Sequence, residues 1–221
     1  MRQSPRRVAG VSGLAAVVLG VAGALCERSW PGPESLPGFV AEFRGLLVVQ
    51  SLSFVFSAAV LLIFVSSLRE VLADSTLPAT IMFGAGTVGY GANILGQAPQ
   101  LALTLLPGEV LYPQTAVLLD ALGFVMLTLA NAPIALMFAA IGFAVRRTRV
   151  LPAWLGWFAA IAAAAAAVLV LSAFLPTGLL DPRGWVSYIL YPISIVWIVT
   201  ASSTLLHSAV IPVEPGRSPL R

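Results

Sequence analysis

"FAVRRTRVLPAW", residues 143–154, decides how this chain is read. Arg146, Arg147 and Arg149 stand in a sequence without a single lysine, and they separate two long apolar runs. The second run contains "AAIAAAAAAVLVL", residues 159–171, which is hydrophobic on every helical face. A helix of that kind belongs inside a large core or a bilayer. Of the 221 residues, 59% are hydrophobic and 10% charged, and the mean hydropathy is +0.96. An ordinary soluble domain carries about a quarter charged residues. With so little polar surface the chain is not covered for water, and the three arginines read as a topological signal. Positive turns stay on the cytoplasmic side, near anionic lipid and against the membrane potential.

Working outward from this turn, apolar runs bounded by charges and by Pro/Gly breaks predict six spans: about 8–26, 44–68, 77–98, 115–145, 153–175 and 186–209. Each approaches or exceeds the roughly 18 to 20 residues that cross a bilayer as a helix. The two-residue alternation of a membrane β-barrel is missing. The expected fold is therefore all-α: a polytopic transmembrane helical bundle occupying residues 1–210 as one domain. A proline-rich tail, 211–221, reads as disordered. Placing both termini in the cytoplasm puts Arg2, Arg6, Arg7, Arg69, Arg146, Arg147, Arg149, Arg217 and Arg221 inside and leaves Arg28, Arg44 and Arg183 outside, nine against three. Trp154 and Trp157 suit the inner interface, and Trp30, Tyr112 and Trp185 the outer one. Pro78 and Pro152 read as helix starts.

The first span admits a second reading. Arg6 and Arg7 precede an apolar stretch ending in Ala22-Gly23-Ala24, which has the form of a signal-peptidase site, and cleavage there would leave five spans. The greater length of the run favours retention. Residues 27–45, with Pro31, Pro33 and Pro37, read as an external loop in which Glu42 and Arg44 pair with each other or with Asp181 and Arg183. Close helix contacts are expected along Ala16, Gly20 and Ala24, at small-xxx-small spacing, and along 162–167.

Composition also narrows the chemistry. The net charge of +3 comes from arginines at span ends rather than from a basic and aromatic stripe, so nucleic acid is not an expected partner. Cys26 and His207 are the only residues of their types, which excludes an intramolecular disulfide, a CxxC site and a multi-histidine metal centre. Gly84, Gly86 and Gly89 match GxGxxG, but inside an apolar span and without a preceding strand the motif carries nothing. No cofactor, metal or catalytic constellation is predicted.

The candidate site is intramembrane and polar. Gly86, Tyr90, Asn93, Gln97 and Gln100 recur at spacings of four, three, four and three, and so share one helical face. Span four runs back with Asp120, Thr128 and Asn131. At about 1.5 Å per residue, Asn93 lies roughly 25 Å up its span, level with Thr128 and Asn131, while Gln97 and Gln100 approach Asp120. Pro99 is expected to kink the helix and free the Leu95 carbonyl. Two uses follow: polar groups joining two helices, or a cavity in which Asp120 serves as cation site, proton acceptor or counter-ion. Gln50, Ser51, Ser53 and Ser57 are expected to be satisfied within the bundle, and Thr200, Ser203, Thr204 and His207 to share one face.

The stretches "RRVAGVSGLAAVVLGVAG" (6–23), "AVLLDALGF" (116–124) and "RRTRVLPAWLGW" (146–157) resemble a family of small six-helix bacterial membrane proteins, a domain of unknown function, over residues 6–175. The resemblance implies the fold and no activity. The expectation for function is a non-enzymatic protein of the bacterial plasma membrane, in contact with the lipid bilayer, that binds a small lipophilic ligand or joins a membrane protein partner. Alternatives are a small transporter or exporter with Asp120 in its path, and a membrane-embedded enzyme acting on a lipid or isoprenoid.

Overall fold

Pro5, Pro37, Pro99 and Pro113 each lie in the first turn of a helix, where a fixed φ is already helical and the missing N–H had no intrahelical partner. They punctuate an all-helical chain. The computed structural model describes residues 4–28, 31, 33–106, 112–172, 174 and 185–210, and among these there is no strand. The helices are α1 (Pro5–Leu25), α2 (Leu36–Val71, preceded by a 3-10 turn at Pro33–Ser35), α3 (Thr76–Gly96), α4 (Ala98–Leu105), α5 (Pro113–Leu129), α6 (Asn131–Thr148), α7 (Ala153–Ser172) and α8 (Trp185–Val210). The tail 211–221, Trp30, Asp181 and Arg183 lie outside the described residues.

Two breaks divide what the sequence reads as single spans. Gln97 alone separates α3 from α4, and Ala130 alone separates α5 from α6. In each case a proline follows within three residues, Pro99 or Pro133, and removes the donor for the carbonyl four residues back. Joined across these breaks, the helices form six rods. Five stretches are long and apolar enough to cross a membrane, with α5 and α6 counted together as Pro113–Thr148, as expected of a multi-pass membrane protein. The α3 segment is not among them, because Gly84, Gly86, Gly89, Gly91, Gly96 and Asn93 dilute its apolar content.

Short connections set the packing. Residues 72–75 turn α2 into α3, and residues 149–152 turn α6 into α7. Both turns lie at one end of the bundle, together with the start of α1 and the end of α8, where the side chain of Leu206 lies over Gly10. Arg6, Arg7, Arg69, Arg146, Arg147 and Arg149 therefore share this end. Arg149 closes α6 in the left-handed conformation, φ 55°, with its N–H donating to the Val145 carbonyl at 2.9 Å. Arg146 donates from Nε to the Gly142 carbonyl at 3.0 Å and lies 4.5 Å over the ring of Trp157, which is exposed beside it. Tyr112 is exposed at the opposite end.

The main core fills the arginine-rich half. Fully buried Trp197 of α8 meets Phe138 edge-on at 5.3 Å and Phe64 at 6.4 Å, and its indole N–H donates to the Leu155 carbonyl of α7 at 2.9 Å. Four rods thus converge on one side chain whose only polar atom is satisfied. Small residues close the remaining gaps. A Cβ on Gly142 would lie 2.7 Å from the Gly156 carbonyl, and one on Gly13 would collide with Ser202 Oγ. Along α1 the buried small residues are Ala9, Gly10, Ser12, Gly13, Ala16 and Gly23, while Ala24 is exposed. Of the expected Ala16-Gly20-Ala24 row, Ala16 is buried and a Cβ on Gly20 would lie 3.3 Å from Ser57 Oγ, whereas Ala24 falls outside the contact, since 3.6 residues per turn carry a strict four-residue row off the interface.

A second, smaller apolar cluster occupies the far half: Leu36, Val40, Leu47, Leu103 and Ala116. It corrects the reading of 27–45 as a loop. Residues 36–43 are helical, with Leu36, Val40 and Leu47 on one stripe, and join the rest of α2 through a kink at Phe43, φ −101° and ψ 15°. Glu42 and Arg44 are exposed and do not pair with each other. Elsewhere large apolar side chains face outward, among them Val18, Phe56, Ile63, Val88, Leu118 and Ile161. That arrangement suits surroundings as apolar as the side chains.

Candidate functional site

The helix break at Gln97 organises the polar residues. Gly123 of α5 packs against it: a Cβ there would meet the Gly96 carbonyl at 3.3 Å and Pro99 Cβ at 3.4 Å. Leu127, one turn on, lies over Gly96. This register places Asp120, one turn in the other direction, beside the start of α4. Asp120 is half-buried, and it shares a face with buried Ala116 and Gly123.

Two glutamines meet across helices at this level. Gln100 of α4 donates from Nε2 to Gln50 Oε1 of α2 at 3.0 Å. Gln50 is buried, and so is Ser51 beside it. Gln97 is 4% exposed, and its Oε1 has no hydrogen-bond partner among the described residues; the same holds for Ser51 Oγ. An unpartnered buried polar atom costs about 1–3 kcal/mol. Two such atoms in one layer, between the main core and the smaller apolar cluster, distinguish this level from the rest of the bundle. Ser75 Oγ and Ser202 Oγ are also buried and unpartnered, but they lie toward the arginine-rich end, at the α3 start and against α1.

The other candidates are placed differently. Tyr90 is buried within the main core, and Asn93 is half-buried on the same face of α3. Thr128 donates to its own helix, to the Phe124 carbonyl at 2.8 Å. Asn131 donates to the Leu127 and Thr128 carbonyls, both at 3.1 Å, and reaches the hydroxyl of Tyr191 on α8 at 3.4 Å. Asn131 therefore bonds to carbonyls on the α5 side of the break and ties it to α8, while the carbonyl that Pro133 leaves without its helical donor is that of Leu129. The level pairing of Asn93 with Asn131 is replaced by this local role, and glycines bring the two rods together: a Cβ on Gly89 would lie 2.7 Å from Ile134, and one on Gly86 3.0 Å from the Met137 sulfur.

Composition alone did not single out Gln50, Ser51 or Tyr191. Ser57 behaves as expected, donating to the Ala16 carbonyl at 2.8 Å, whereas Ser51 does not. The signal available for Gln50 was an amide in mid-span, level with Gln100 in an antiparallel pair. Thr200 and Thr204 bond to their own helix, and His207 is exposed. Among the described residues no group of three His, Cys, Asp or Glu side chains is placed to hold a metal ion. No family model, curated protein or solved structure matches the chain.

Proposed function

We propose that the chain is a six-span protein of the bacterial plasma membrane, with both termini and the arginine-rich end in the cytoplasm, that binds a small lipophilic molecule without chemical conversion. Its likeness to small bacterial membrane proteins of unknown function belongs to the same reading. The sixth crossing is α3, which lies antiparallel to α2, packs against α6 and continues into α4, so that it follows its spanning neighbours through the layer.

The observation that carries the binding role is the pair of unpartnered atoms, Gln97 Oε1 and Ser51 Oγ, in the layer that also holds Gln50, Gln100 and Asp120. A guest fitting it is mostly apolar and carries at least one hydrogen-bond donor for the Gln97 carbonyl. Sites of this type are largely apolar with a few convergent polar groups. The test is organic extraction of the purified protein followed by mass spectrometry. A compound present at near-stoichiometric amounts in wild type and lost from Gln97→Leu and Ser51→Ala supports the role; identical extracts from all three proteins refute it.

The half-buried carboxyl of Asp120 on the same level favours a second reading, transport. Ionisable groups at membrane depth commonly mark pathways. Proteoliposome flux of the extracted compound that stops in Asp120→Asn would select it, and flux unchanged by that substitution would remove Asp120 from the path.

A further inference from the structure

Along the outside of α1, Arg7, Val8, Val11, Ser12 and Ala15 line a groove of about 510 Å³ whose far wall is Val60 of α2. The residues recur at one, four, five and eight positions from Arg7, which is one face of a helix. Arg7 is exposed at the mouth and makes no ion pair with any described residue, and no carboxylate lines the groove. Ser12 is turned to its own backbone, donating to the Val8 carbonyl at 2.7 Å, so the floor below the guanidinium is effectively apolar. From Arg7 to Ala15 the helix rises about 12 Å, close to the roughly 15 Å hydrocarbon depth of one leaflet.

We infer that this groove holds an anionic glycerophospholipid, its phosphate on Arg7 and one acyl chain along Val8, Val11, Ala15 and Val60. Charge at the headgroup level above an apolar trough matches the two ends of that molecule, and basic recesses between spans on the cytoplasmic side recognise acidic headgroups. The other sizeable groove at this end, about 380 Å³ between α2 and α3, carries Arg69 but also Glu70, and its guanidinium is already engaged 5.2 Å over Phe83. Its charge does not select for an anion. The proposal rests on the chain lying in a bilayer with these arginines in a headgroup layer, and it is independent of the polar layer in the far half.

The full-length protein, purified in neutral detergent, is titrated with phosphatidylglycerol or phosphatidylcholine of identical chains, and retained lipid is counted by native mass spectrometry. Wild type should retain the anionic lipid about fivefold better, the ratio expected for one basic residue near the surface. Arg7→Gln should abolish that preference, while Arg6→Gln, altering a neighbour outside the groove, should keep it. Ala15→Phe should lower retention of both lipids by filling the trough. Equal retention of the two lipids by wild type, equal losses in Arg6→Gln and Arg7→Gln, or undiminished retention by Ala15→Phe would overturn the assignment.

Discussion

The two halves of the bundle are built from the same six rods, yet they differ in packing and in the size of the polar groups they enclose. Toward the arginine-rich end, Trp197, the largest fully buried side chain, gives its N–H to Leu155 and is enclosed by Phe64 and Phe138, and the unpartnered atoms there, Ser75 Oγ and Ser202 Oγ, belong to small hydroxyls. Toward the far end the rods are broken at Gln97 and kinked at Phe43, the apolar cluster is small, and a glutamine pair lies beside two unpartnered atoms. Close-packed cores hold a structure rigid. Loosely satisfied layers at helix breaks leave chemistry available to something else. On the function proposed above, the difference divides the bundle into a half that serves stability and a half that serves recognition.

The comparison is broken most severely by emptying the rigid half. Trp197→Ala should cost about 3–5 kcal/mol, read as a lower unfolding midpoint in detergent. A loss below about 1 kcal/mol would mean that this core does not anchor the fold. Next comes the α6–α7 crossing, where Gly142→Leu places a side chain against the Gly156 carbonyl and should cost about 1–3 kcal/mol. Gly91→Leu serves as its contrast, because a Cβ there meets nothing within 4 Å and the midpoint should hold.

Smaller effects sharpen the contrast from the other side. Replacing Gln50 and Gln100 together by Met removes their bond without leaving either amide unpartnered and should cost little, since such bonds within membranes average about 0.6 kcal/mol; a loss as large as that of Trp197→Ala would make the glutamine layer a second anchor. Arg149→Gly relieves a left-handed residue at the end of α6 and should raise the midpoint by up to about 1 kcal/mol. A falling midpoint would show that the Arg149 side chain holds the turn.

The rods were legible because the physics of each is local. Unbroken apolar length marks Ala153–Ser172, proline at a helix start marks Pro78 and Pro152, and the arginines of 146–149 mark an end. What was hidden depended on neighbours. Residues 36–43 looked like a loop because prolines and charges flank them, but their apolar stripe acquires meaning only beside Leu103 and Ala116. The face carrying Gly86, Tyr90, Asn93 and Gln97 was readable from its period. Its division into a buried tyrosine, a half-buried amide and an unpartnered glutamine carbonyl was not, because that depends on the partner helix. Asn131 illustrates the same point: its height, level with Asn93, suggests a shared polar layer, while its amide bonds to the Leu127 and Thr128 carbonyls of its own rod.

The account turns on whether Gln97 serves binding rather than folding, and one experiment separates these: thermal unfolding of wild type and Gln97→Leu, each with and without a lipid extract from the producing cells. Wild type should gain stability from the extract, whereas Gln97→Leu should match or exceed wild type without it and gain nothing on addition. A Gln97→Leu protein that is markedly less stable alone, or that responds to the extract as wild type does, would contradict the division of the bundle proposed here.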